Sequence, residues 1–346
     1  MRAFRYGHLL MFDDFGRPML PMTNNEKTCS LESSPCYFTG DGRSNQIITL
    51  TALRQLFARS TIERLRFLAI YIDIGVEAMQ RFGLNIQSHG YSHDYDENIN
   101  AAVASEFSAA AFRFGHSIVD GKLIVHNGPD IEEIIRIPDV MFNSARLRRR
   151  NFYDELLNTL LRQPMQQVDS AVTHGFSRFL FRKDTRIGRD HSIRPYNDYL
   201  EATGHSRVTS FGEFDPANRL YSNLIISNRK KIIQIASKLA RVYSHPDDID
   251  LWIGGLMERS SSDALVGPTF AEIIADQFSR FRKGDRYFFE HNPDINPGAF
   301  SEPQLQQLRL TTMSRIICDN ADGYALSTVA PHAFSASCSW KCSSPM

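Results

Sequence analysis

The chain has 346 residues, 42% hydrophobic and 23% charged, with 39 lysines and arginines against 39 aspartates and glutamates. That is ordinary globular composition with enough chain for a large core, and the charge balance excludes the basic footprint of a nucleic-acid binder. The longest apolar run, Phe67 to Val76, is interrupted by Asp73 and is too short to span a bilayer, so no transmembrane segment is expected.

In chain order, Met1 to His8 has no apolar stretch of the kind a signal peptide needs. Cys29 and Cys36 flank a polar loop and can close a small ring, an arrangement suited to an oxidising compartment. Three more cysteines, Cys318, Cys338 and Cys342, stand near the end, and the odd total leaves one thiol over. A zinc site at Cys338-Ser-Trp-Lys-Cys342 would need a second ligand pair that the sequence does not supply.

Ile48 to Leu68 carries apolar residues at helical spacing, among them Leu50, Leu53, Leu56, Phe57 and Leu65. Phe152 to Leu161, Lys230 to Tyr243 and Thr269 to Phe281 repeat the pattern. Stretches such as Asn127-Gly-Pro-Asp130, Asp215-Pro-Ala-Asn218 and His291-Asn-Pro-Asp294 punctuate them as loops. No sustained strand alternation, internal repeat or low-complexity block is visible, which predicts a mainly α fold.

Ala101 to Val119 reads as one further helix, a run of small residues followed by Phe112-Arg-Phe-Gly-His116. Small side chains on a helical face admit something flat and bulky, and Gly115 beside His116 adds room. A lone histidine on an apolar helix is usually a hydrogen-bonded core residue, but neutral imidazole is also a common metal ligand. His89-Gly-Tyr-Ser-His93-Asp94-Tyr-Asp96 resembles a metal cluster by composition. Gly90 and Ser92 disfavour the regular helix that would set two histidines on one face.

Several stretches, in a fixed order, resemble the animal (myeloperoxidase-like) haem peroxidase family. They are Gly40-Asp-Gly-Arg43-Ser-Asn45, Phe112-Arg-Phe-Gly-His-Ser117, and Gly188-Arg-Asp-His191 followed by Pro195-Tyr-Asn-Asp-Tyr199. Asp247-Asp-Ile-Asp-Leu-Trp-Ile-Gly-Gly255, Val266-Gly-Pro-Thr-Phe270, Gly284 to Glu290 and Arg315 to Asn320 continue the series. Each short motif is weak alone; their ordered combination is specific.

The resemblance implies a helical haem peroxidase domain that uses hydrogen peroxide to oxidise a small donor: a phenol, a tyrosine side chain or a halide. It implies haem b, with His116 ligating the iron, and an acceptor for the other imidazole nitrogen. Counting back from Arg189-Asp-His191 places Asp184 at that acceptor position, where the family has asparagine. A carboxylate there gives His116 more imidazolate character and lowers the iron's reduction potential. Arg43 matches the distal arginine that stabilises negative charge as the O–O bond breaks. Arg113, one turn before His116, is placed to pair with a haem propionate. By resemblance the protein is secreted or extracellular, Cys29 pairs with Cys36, and Cys318 pairs with Cys338 or Cys342.

Departures qualify the activity. Gln46 stands where some members have a glutamate esterified to the haem, and an amide forms no ester, so no covalent link is expected there. The family's distal histidine and calcium loop match nothing here. Residues 1–346 are therefore read as one peroxidase domain without that N-terminal part, and calcium is not expected. The family's long helical pair after Arg59 is replaced by Ser60 to Asp73. The rival reading is a haem-binding or interaction domain of the same fold with impaired catalysis.

Overall fold

The computed structural model describes residues 11–12, 17–23, 36–38, 43–59, 65–85, 87–126, 132–180, 187–214, 229–323, 328–333 and 340–341. Within them the chain is mainly helical. Four two-stranded antiparallel pairs complete it: β1 (Met11–Phe12) with β2 (Pro18–Met19), β3 (Met22–Thr23) with β4 (Cys36–Tyr37), β5 (Lys122–His126) with β6 (Glu132–Arg136), and β7 (Thr328–Val329) with β8 (Trp340–Lys341). Cys36 and Cys318 are each disulfide-bonded; Cys29, Cys338 and Cys342 lie outside the described residues.

The expected periodicities give helices. Helix α1 (Ile48–Arg59) buries Ile48, Ala52 and Leu56, four residues apart and so on one face. It ends before Ser60, and α2 (Leu65–Arg81) follows, so the pattern from Ile48 to Leu68 is two helices rather than one. At Gly75 in α2 the backbone turns to φ 77°, ψ 168°, a conformation glycine adopts freely. Asp263 caps the helical half beyond it, accepting the Val76 N–H at 2.8 Å. Helix α4 (Phe152–Arg162) carries Asp154 and Glu155 in its first turn, where the helix dipole favours negative charge.

Ala101 to Val119 departs from expectation. It forms a short α3 (Ser105–Ala109), a break at Ala110 (φ −131°, ψ −76°) and a 3-10 turn from Ala111 to His116. Tertiary contacts outweigh the helical preference of the small residues. The Gln277 side chain accepts the Ala104 N–H at 2.7 Å and fixes the start. Phe107 and Phe112 stack across the break, ring centroids 4.7 Å apart.

The β5–β6 hairpin was not legible as strand. Its alternation is brief, with Leu123, Val125 and Ile135 turned inward over α4 and Lys122 and His126 exposed. The turn Asn127-Gly-Pro-Asp130, between these strands in sequence, lies outside the described residues, as does Asp215-Pro-Ala-Asn218.

The remaining helices are α5 (Ile187–Asp190), α6 (Tyr196–Ala202), α7 (Arg229–Val242), α8 (Leu251–Met257), α9 (Pro268–Gly284), α10 (Glu302–Leu310) and α11 (Met313–Asn320). Two apolar clusters organise them. One gathers buried residues of α2, α3, α6, α8 and α9 around Tyr196, Phe270 and Ile274. The other gathers α1, α4, the β5–β6 hairpin and α11 around Phe152, Tyr153 and Ile137.

In the first cluster α8 wedges between α6 and α9. A Cβ on Gly254 would lie 2.1 Å from the Tyr196 ring, and one on Gly255 would lie 2.2 Å from the Phe270 ring. Only hydrogen fits at either position. Beyond α8, the buried Glu258 accepts from the Tyr196 hydroxyl at 2.6 Å, from the Thr269 N–H at 2.8 Å and from the Thr269 hydroxyl. It thereby caps α9 from outside that helix. Complete burial raises the Glu258 carboxyl to about 7, against the pull of these three donors.

Gly254→Ala is expected to overpack the Tyr196 contact and destabilise the chain by about 1–3 kcal/mol or more, read by chemical denaturation. Because its folded pKa lies above the unfolded value, Glu258 contributes stability that is full below about 4.5 and lost as pH rises through about 7. Glu258→Gln should flatten that fall in melting temperature between pH 5 and pH 8, when compared with the unsubstituted chain.

Candidate functional site

The 3-10 turn from Ala111 to His116 lies where the two clusters meet. Phe114 is buried in the first, while the His116 imidazole stands edge-on to Phe176 of the second, centroids 6.2 Å apart at 80°. Phe176 begins a π-helical turn, Phe176–Leu180, a wide geometry found often at functional sites. The ring of His116 is only partly exposed. Burial first, and the Arg113 guanidinium second, push its pKa from 6.5 down to about 4. At neutral pH the imidazole is therefore uncharged, the protonation state in which it binds metal.

Beside it, a Cβ built on Gly115 meets no described atom within 4 Å, so the backbone next to His116 borders open space. Ala109, Ala110 and Ala111 precede it as small buried residues. A neutral imidazole with the open space of Gly115 beside it fits a residue that would hold a metal macrocycle. Arg113 is partly exposed, its Nε–H donating to the Ser108 carbonyl at 3.0 Å. The Arg113 carbonyl accepts the indole N–H of Trp252, on α8, at 3.2 Å.

Arg43 and Gln46 form a second group, in the turn that opens α1. The Arg43 carbonyl accepts the Gln46 N–H at 3.0 Å, and the Arg43 side chain is exposed. Gln46 is partly buried, and its carbonyl accepts the Phe142 N–H at 3.1 Å. Between them Asn45 is buried, donating to the Tyr37 carbonyl and accepting from the Ser144 hydroxyl. Asp184 lies outside the described residues.

Other segments singled out in the sequence serve the scaffold. Arg189 makes a two-pronged pair with Asp250 at 2.8 and 3.0 Å, and Asp250 also accepts the Tyr243 hydroxyl at 2.8 Å. The buried Asn197 clamps Val208 through its N–H and carbonyl, at 2.9 and 2.8 Å. In the histidine-rich stretch, Asp94 pairs with Arg282 at 2.9 Å and accepts the Ser92 hydroxyl, while His89 meets Ser88 at 2.8 Å. Among the described residues, no group of three or more His, Cys, Asp and Glu is arranged to hold a metal ion. Trp252 was missed by sequence reasoning as a site residue; its motif was noted, but the reach of its indole to Arg113 depends on tertiary packing.

The sequence profile of the animal haem peroxidase family matches residues 1–60 and 66–334. Chorion peroxidase of Drosophila melanogaster is 45% identical over 379 residues, covering 96% of this chain and 45% of that protein. Chorion peroxidase of Aedes aegypti is 33% identical over 366 residues, covering 93% of this chain and 44% of that protein. The chain thus spans less than half the length of these relatives. Peroxidase A from Dictyostelium discoideum superposes with a TM-score of 0.67 at 23% identity, covering 94% of this chain and 65% of that one. The chain belongs to the animal haem peroxidase family, and its fold is the helical fold of that solved peroxidase.

An NMR titration of the His116 side chain should give a midpoint near 4, well below the ordinary histidine value. Arg113→Gln should move the midpoint upward by less than the burial contribution, since the charge is the smaller cause.

Proposed function

We propose that the chain forms one peroxidase unit in which His116 ligates haem iron and hydrogen peroxide is reduced at the expense of a small donor. The observation that carries this is the placing of the His116 imidazole, half-buried at the junction of the two clusters beside the open flank of Gly115. Membership of the peroxidase family supports the same reading. Haem bound there supplies the redox centre, and the protein sets ligand, polarity and access.

The chain's own residues do the rest. His116 offers its lone pair without first shedding a proton. Arg113 balances a propionate carboxylate from the same turn. Asp184 would accept a hydrogen bond from the remaining imidazole N–H and so fix the ring's tautomer. Arg43 presents a guanidinium that stabilises negative charge as the O–O bond breaks. Gln46, an amide, holds the haem without an ester. The donor is a phenol, a tyrosine side chain or a halide. A secreted setting agrees with the disulfide-bonded Cys36 and Cys318. No described helix is long and apolar enough to cross a membrane.

Reconstitution with hemin tests the proposal. A Soret band that His116→Ala abolishes, together with peroxide-dependent guaiacol oxidation, is the expected result; a band that survives in His116→Ala contradicts it. Arg43→Leu should keep the band and lower turnover about 100-fold. In Asp184→Asn the ferrous iron–histidine stretch seen by resonance Raman should fall; an unmoved band removes Asp184 from the site.

A further inference from the structure

The 3-10 turn that ends in His116 has an unusual distribution of hydrogen bonds. In an α-helix the Arg113 carbonyl would accept the Ser117 N–H, four residues on. Here the Ser117 N–H turns to the Phe114 carbonyl at 3.0 Å, and the Ser117 hydroxyl joins it there at 2.8 Å. The Arg113 N–H likewise closes a tight turn on the Ala110 carbonyl at 3.0 Å. The Arg113 carbonyl also accepts the indole N–H of Trp252, 139 residues away in sequence, at 3.2 Å.

Trp252 is held in place from both sides. It sits on α8 two residues before Gly254, and α8 is wedged between Tyr196 of α6 and Phe270 of α9 with no room for a single added carbon. An indole nitrogen only donates, along one direction fixed by the ring. A rigid donor on a rigid helix therefore pins a backbone carbonyl three residues before His116.

We propose that Trp252 is a positioning residue for His116: by occupying the Arg113 carbonyl it holds the turn tight and aims the imidazole. The role of the aimed imidazole rests on the reading of His116 as iron ligand, but the aiming itself does not. Without the indole N–H, the tie between this turn and α8 is lost and the turn relaxes towards α-helix. That rotates His116 about the helix axis, away from Phe176.

Trp252→Phe keeps an aromatic ring against the cluster and deletes the donor. In the haem-free chain, the through-space contacts between the His116 and Phe176 ring protons seen by NMR should be lost, while circular dichroism stays that of the unsubstituted chain. In the hemin-loaded chain, the ferrous iron–histidine band should shift or split, and turnover should fall about 10-fold or more. Unchanged ring contacts in a folded Trp252→Phe chain overturn the proposal. If that variant does not fold, benzothienylalanine at position 252, which keeps the indole outline with sulfur in place of N–H, takes its place with the same two outcomes. A changed ring contact with no Soret dependence on His116 leaves the positioning intact and sinks the haem reading alone.

Discussion

The close approach of α8 to its neighbours is the constraint on which the other contacts depend. Glycines at 254 and 255 let the Tyr196 and Phe270 rings lie directly on the α8 backbone, where any side chain would collide. Close-packed interiors transmit such fits rather than absorb them. From this joint Trp252 reaches the turn of His116, Tyr196 reaches Glu258, and Glu258 reaches the start of α9. One wedge thereby ties together the turn of His116, the helix beneath it and the cap of α9.

A second theme is the treatment of charge. Two buried arginines away from the turn are paired: Arg309 meets Glu290 at 2.9 Å and the Gly90 carbonyl at 2.8 Å, and Arg282 meets Asp94. At the turn, burial first and the like charge of Arg113 second oppose protonation of His116. The same cationic neighbour that repels a proton is suited to a propionate. Under the proposed function, a neutral imidazole and an adjacent cation suit a metal carrying an anionic macrocycle.

The sequence made the architecture legible where patterns were long. The periodicities from Phe152, Lys230 and Thr269 correspond to α4, α7 and α9 with ends within three residues. It failed where tertiary contacts decide. Ala101 to Val119 carries strong helix formers, yet Gln277, Phe107 and Trp252 break it into α3 and a 3-10 turn. The β5–β6 hairpin has only a few alternating residues per strand, too short a period to separate from loop. For the site, the ordered motifs located His116 and Arg113 in one turn and Arg43 and Gln46 in another. Motif matching names positions; it carries no information on which carbonyl an indole will reach.

Under the proposed function, the imidazole at position 116 is the protein's bond to haem iron. Its most direct test is the electron paramagnetic resonance spectrum of the ferrous nitric oxide adduct, prepared with histidine carrying the heavy nitrogen isotope. The triplet imposed by ordinary nitrogen should become a doublet in the labelled chain, and His116→Ala should erase the splitting. A labelled chain whose spectrum matches the unlabelled one, or a splitting that survives in His116→Ala, would contradict it.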